Sequence, residues 1–279
     1  MLPILVFLDS ILNKNFTKAI EKNRQTDILH TPMKNSSILN PLKYISGTRN
    51  EEASQKDFLS RIFMWMGAGL GLTALVCDTI ISSPSFMNLL VDAQGEISGL
   101  GYAIIFTPIV FVLVMAFGYH KLSYLSLLIL FVLYSTLMGA SLSFVFLIYT
   151  AQSIYATFFT AAIMYAGMGL IGYYTKADLG QFGNILLMGF FGIILAAFVN
   201  SFLHNDGLSY IISIISVIIF CGLTAYDIQK LKSLSENSEI DTEEKKKLGI
   251  LGALTLYLDF IFLFVSFLRI FGRGKQTGL

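Results

Sequence analysis

The last apolar run of the chain, residues 249–271, reads GILGALTLYLDFIFLFVSFLRIF and carries an aspartate, Asp259, near its middle. About 20 apolar residues span a bilayer as a helix at 1.5 Å rise each. The run therefore predicts a transmembrane helix with an acid roughly halfway down. Insertion scales place an Asp at a helix centre at about +2.5 to +3.5 kcal/mol. An acid kept at that cost has a partner or a water-filled cavity.

Six further apolar runs precede it, at about residues 58–81, 100–118, 124–149, 154–174, 182–203 and 208–226. Each is long enough to span with some tilt, and Pro108 is expected to break the second. Only 13% of the 279 residues are charged and 55% are hydrophobic, whereas a soluble domain carries about 25% charged residues. The predicted class is an all-α polytopic membrane protein, a seven-transmembrane-helix bundle whose first partner is the lipid bilayer. A net charge of +1 gives a nucleic-acid partner no support. Cys77 and Cys221 both lie in apolar runs and read as core thiols. Three scattered His and no CxxC or HExxH pattern predict neither a bound cofactor nor a tight metal site.

Three regions are expected. Residues 1–56 form a polar cytoplasmic extension, mobile, with a short amphipathic helix over residues 1–20. Residues 57–272 form the seven-helix domain, and residues 273–279 a short basic tail. Glycines cluster at Gly67, Gly69 and Gly71, at Gly167, Gly169 and Gly172, and at Gly189 and Gly192, where small residues let helices approach closely in lipid.

Basic residues in the short loops set the orientation. Lys43, Arg49, Lys56 and Arg61 precede the first run, Lys121 follows the second, and Lys176 follows the fourth. Lys230, Lys232 and Lys245 to Lys247 separate the sixth from the seventh. The alternate loops have none, and the first of them carries Asp92 and Glu96. The N-terminus is thus expected in the cytoplasm. Seven full spans put the tail outside, although Arg269, Arg273 and Lys275 speak for the inside. A re-entrant seventh run is the alternative to seven full spans, which we expect.

The candidate partner of Asp259 is Asp227, which closes the sixth run in GLTAYDIQKLK. Helix-rise arithmetic puts Asp259 about 16 Å below the cytoplasmic boundary and, with the sixth helix running on to about Leu234, Asp227 about 10 Å below it, so adjacent antiparallel helices bring them to similar depth. The plainer readings are a local contact of Asp227 with Lys230 at i, i+3 and a structural hydrogen bond for Asp259. Two carboxylates within hydrogen-bond reach in a poor dielectric cannot both ionise cheaply; the pair titrates as a unit, and loss of its last proton repels the helices. That describes a proton-sensitive gate.

GLTAYDIQKLK paired with GALTLYLDFIFLFVSFLRIFG resembles the signature of the Bax inhibitor family (transmembrane Bax inhibitor motif proteins). AQSIYATFFTAAIMYAGMGLIGYYTKADL and GNILLMGFFGIILAAFVN resemble its bacterial inner-membrane members. The resemblance covers about residues 58–272. It implies seven helices with the seventh central and ringed by the other six. It also implies a non-enzymatic, pH-sensitive calcium leak, with Asp227 and Asp259 as the sensor and as a weak transit site for calcium, the transported ion. Some members place a basic latch on the first acid. Here the cytoplasmic-side candidates are Lys230, His120 and Lys121, and the second run itself has no Arg.

Two other function classes fit parts of the pattern. A non-conducting regulator that binds other membrane proteins, such as proteases, is compatible with the same family. An intramembrane aspartyl protease also uses a Tyr-Asp pair, as in Tyr226–Asp227. Its second acid, however, lies in Gly-x-Gly-Asp, where this chain has Leu256, Tyr257, Leu258 and Asp259 with no following Pro-Ala-Leu. No Lys stands in the seventh run, which removes a retinal Schiff base.

Overall fold

The computed structural model describes residues 41–91, 97–236 and 241–275, with side chains from residue 55 onward. Eight helices follow in order: α1 Pro41–Ser82, α2 Pro84–Leu90, α3 Gly99–Gly118, α4 Tyr124–Ile148, α5 Ala151–Tyr174, α6 Gly180–Leu203, α7 Asp206–Glu236 and α8 Thr242–Phe271. All but the short α2 contain a stretch long and apolar enough to cross a bilayer. Lipid offers no hydrogen-bond partners, so each such stretch satisfies its backbone internally as a helix. Serine and threonine hydroxyls start three of them: Ser98, Ser123 and Thr150 accept from the amides of Gly101, Ser126 and Ser153.

The seven apolar runs match the seven long helices, with three differences. Pro108 lies buried inside an unbroken α3, because packed neighbours accommodate a proline within a membrane helix. The helix α7 continues ten residues past its apolar run to Glu236, with Ile228, Leu231 and Leu234 still buried. The first long helix begins at Pro41, well before its apolar stretch at Gln55–Ser82. The amphipathic helix expected over residues 1–20 lies outside the described residues.

Between its charged first turns and Arg269, α8 is apolar on nearly every side, with Asp259 its one charged residue there, and such a helix belongs in the interior. Of its membrane-crossing stretch, 83% is buried within the protein, against 22–50% for the other six. The seventh span is therefore central. Its wall is built by α7, α1, α5 and α4, while α3 docks mainly on α4 and α6 on α7. The ring of six is thus four helices in extensive contact and two outer ones, of which α6 brings the Phe190 ring to 6.2 Å from the Phe262 ring. Chain neighbours are not always space neighbours: α1 packs most on α4, and α5 on α7.

A polar clip ties three helices. Thr73 Oγ1 of α1 donates to the Ser135 carbonyl of α4 at 2.9 Å and accepts from the Tyr257 hydroxyl of α8 at 2.7 Å. Half of the clustered glycines lie in interfaces. A Cβ on Gly69 would meet the Phe131 ring at 2.8 Å, and one on Gly172 would meet the backbone of Ala225, whereas Gly67, Gly71, Gly167 and Gly192 face open space.

α8 is continuous, not re-entrant. Its C-terminal tail pairs with the α4–α5 connection: Thr150 N donates to Arg273 O at 3.0 Å, Lys275 N to Ile148 O at 2.8 Å, and Arg273 N to Ser153 Oγ at 2.8 Å. The tail therefore sits at the end of the bundle opposite the α7–α8 connection. A Gly274→Cys variant is expected to react with an impermeant thiol reagent from the face opposite that reached by Lys245→Cys. Labelling of both from one face would restore the re-entrant reading.

Candidate functional site

α7 and α8 are antiparallel, and two contacts set their register. Leu231 Cδ2 lies 2.7 Å from where a Cβ on Gly252 would stand, and the Phe220 and Phe262 rings stack at 5.0 Å. Both contacts put Asp227 level with residues 255–256 of α8. Asp259 stands about one helical turn, or about 5 Å, further along the axis. Both acids are buried, at 3% and 6% exposure, on one of the two most extensively packed helix pairs.

A third residue joins them. Tyr165 of α5 is buried, its phenol lies within electrostatic reach of both carboxylates, and its ring packs edge-on against Phe260 at 5.6 Å. The Tyr165 hydroxyl donates to the Leu256 carbonyl of α8 at 3.2 Å and lies 3.6 Å from Met66 Sδ of α1. α5 and α1 thus converge on the level of the two acids.

The expected basic partners divide. Lys230, half-buried, holds its Nζ 5.7 Å above the Tyr226 ring, one turn from Asp227. His120 and Lys121 are exposed in the α3–α4 turn. Adjacent Tyr119 donates to Glu244 Oε1 at 3.0 Å, which fixes that turn beside the first turn of α8. Burial, and then the Glu244 carboxylate, push the Tyr119 phenol up, so it stays a donor. From Glu244 to Asp259 is about 22 Å of helix, and to the level of Asp227 about 18 Å. His120 and Lys121 are therefore placed far from the pair. The C-terminal end of α7 is instead latched by Gln229, which accepts from Leu179 N and donates to Ala177 O, both at 2.8 Å, and by Lys232, whose Nζ donates to Tyr173 O at 3.0 Å. These bonds hold the first turns of α7 past Asp227 against the end of α5 and the connection that follows it.

Past the acids, the same seam opens into a cavity of about 140 Å³ bordered by α4, α6, α7 and α8. It is lined by four buried serines, Ser141, Ser213, Ser216 and Ser266. Ser213 and Ser216 donate to the carbonyls of Ser209 and Ile212, so their remaining capacity is to accept. Exposed Arg269 stands at the end farther from the acids. At about 30 Å³ per water, the cavity has room for a few molecules. Phe220 and Phe262 border it on the side of the acids, and the Phe190 ring closes on both, 5.2 Å from Phe220. In order along the seam stand Arg269, the serines, three phenylalanine rings and the acid pair. Among the described residues, no group of three or more His, Cys, Asp and Glu gathers that could hold a metal ion. Any calcium site here rests on two carboxylates, short of the six to eight oxygens that calcium takes.

A bundle of seven membrane-crossing helices with the seventh at its centre, and two buried carboxylates on that helix and its neighbour, defines an integral membrane protein with an acid pair at its core. The chain belongs to the Bax inhibitor family: residues 55–276 match the family described as "Inhibitor of apoptosis-promoting Bax1". It is 44% identical over 224 residues to the inner membrane protein YbhL of Escherichia coli, covering 80% of this chain and 94% of that protein. It is 37% identical to the uncharacterised protein RP147 of Rickettsia prowazekii, covering 78% and 90%, and 36% identical to an uncharacterised protein of Borreliella burgdorferi, covering 82% and 97%.

Proposed function

We propose that the protein is a proton-sensitive cation leak of a bacterial inner membrane, with its N-terminus in the cytoplasm and calcium among the ions it passes. The inner-membrane placement follows its likeness to the Escherichia coli protein, and the orientation follows the basic loops. The reading rests on one observation: Asp227 and Asp259 are buried within about one turn of each other on facing helices, in the same seam as a serine-lined cavity and an aromatic plug.

The acid pair is the sensor and the three rings are the barrier. While the pair keeps a proton, α7 and α8 hold together and the Phe190, Phe220 and Phe262 rings close the seam. When pH rises and the last proton leaves, two negative charges face each other in a poor dielectric. Their repulsion loosens α7 from α8 and parts the stacked rings. A cation passing then has serine oxygens and two carboxylates in turn as weak ligands, which suits transit over storage. Arg269 faces water, where salt screens it within about 10 Å, and it slows cation entry without forbidding it.

The sign of the pH dependence follows. Leak rises as pH rises and the pair loses its last proton. Asp227→Asn and Asp259→Asn each remove the repulsion, so each variant stays at the low-pH level throughout. Calcium efflux from proteoliposomes with the two variants beside wild type checks this. A variant that keeps the full pH dependence removes that acid from the sensor.

A further inference from the structure

α1 and α5 both pack on α8 but not extensively on each other, so a seam runs between them down to the central helix. In its outer half lies a cavity of about 460 Å³ bordered by Cys77, Phe146, Phe158 and Phe260. Its lining is almost wholly apolar, and the volume falls in the range of small-molecule sites, about 300–1,000 Å³. A second groove of about 660 Å³ continues down the same seam and shares Phe260. Two successive, mainly apolar spaces along one helix seam suit an acyl chain.

The mouth is not apolar. Asp78 near the end of α1 and Lys275 on the tail both border it, and both are exposed. The pairing of the tail with the α4–α5 connection places Lys275 there. Among the described residues neither makes an ion pair within 4 Å, so the two opposite charges stand at one opening without closing on each other. A headgroup with a phosphate and a primary ammonium matches them: phosphate to Lys275, ammonium to Asp78. An anionic headgroup without the amine leaves Asp78 facing a negative charge.

We propose that this seam is a binding site for one phospholipid with an amine headgroup, of the phosphatidylethanolamine type, its acyl chain lying against Phe260 beside Asp259. The occupant is thereby in contact with the residue next to the buried acid, and no property of the acid pair is needed for it to bind.

The test uses the full chain in nanodiscs containing phosphatidylethanolamine and phosphatidylglycerol, with an acyl-chain diazirine on one or the other. Label is mapped by mass spectrometry on the seam and, as reference, on the lipid-facing side of α6. Wild type is expected to show seam labelling by the ethanolamine lipid about fivefold above the glycerol lipid. Asp78→Lys should reverse that preference, an outcome that loss of fold does not produce. Ala74→Trp, which fills the cavity from α1, should remove seam label and leave the α6 label. Equal seam labelling by both lipids in wild type, an unchanged ratio in Asp78→Lys, or persistent seam label in Ala74→Trp would each overturn the proposal in favour of ordinary annular lipid.

Discussion

Gly172→Ala is expected to destabilise the protein by about 3 kcal/mol, the upper end of the usual cost of overpacking, and Gly172→Leu to prevent folding. A Cβ at Gly172 would run into the backbone of Ala225, with its Cα at 2.8 Å and its carbonyl carbon at 2.9 Å. Backbone cannot rotate aside as a side chain can, so α5 must move off α7. The matched control is Gly167→Ala, five residues earlier on the same helix, where nothing lies within 4 Å of the added atom. There alanine should be neutral or slightly stabilising, since glycine costs about 1 kcal/mol in a helix interior. Thermal unfolding in detergent separates the two: about 5–10 °C lower for Gly172→Ala, with no loss for Gly167→Ala. Equal melting temperatures would mean that α5 and α7 do not approach as closely as described. The consequence reaches the site, because α5 carries Tyr165 and Ala225 lies two residues from Asp227.

The second large effect concerns the aromatic plug. Phe262 stacks on Phe220 at 5.0 Å with 16° between ring planes, and Phe190 packs against both. Phe262→Ala removes the ring that the central helix contributes. Aromatic pairs contribute about 0.5–1.5 kcal/mol beyond their area burial, and each 1.4 kcal/mol is a factor of ten in an equilibrium. Leak through the variant should therefore rise about tenfold, most visibly at low pH, where wild type is closed. Phe262→Tyr keeps the ring and should stay closed at low pH. A Phe262→Ala protein that folds and leaks no more than wild type would place the barrier elsewhere.

Most of the fold was legible in the sequence because the membrane allows few solutions. Once seven runs were long and apolar enough to span, backbone hydrogen bonding left only helices, and the observed ends agree with the runs within a few residues except where local chemistry intervened. The continuation of α7 past Tyr226 was expected only as far as about Leu234, as the condition that sets the depth of Asp227; the contacts that hold it, Gln229 to the α5–α6 connection and Lys232 to the end of α5, carry no signal in the sequence. Pro108 misled because the rule that proline breaks a helix is drawn from helices in water.

The candidate site was half legible. Two acids in apolar runs signal themselves by cost alone, and helix-rise arithmetic brought them to similar depth. What surrounds them was not read, although part of the signal is present. Ser213, Ser216, Phe220 and Asp227 repeat at helical spacing on α7, as do Asp259, Phe262, Ser266 and Arg269 on α8, so each set forms one stripe. Serine and phenylalanine are ordinary in membrane helices, and only the facing of the two stripes makes the order meaningful. Tyr165 had no such signal, since its place depends on α5 packing on α7 and α8 across chain neighbours. His120 and Lys121 were near the right end of the bundle but about two-thirds of a membrane away from Asp259.

Calcium efflux from proteoliposomes containing the purified wild-type protein, followed from pH 6 to pH 8 with equal pH on both sides, tests the central claim most directly. The acid-pair gate predicts a leak above that of protein-free vesicles that grows as pH rises. A wild-type protein as silent as empty vesicles at every pH would contradict it and leave a non-conducting regulator of other membrane proteins as the function to pursue.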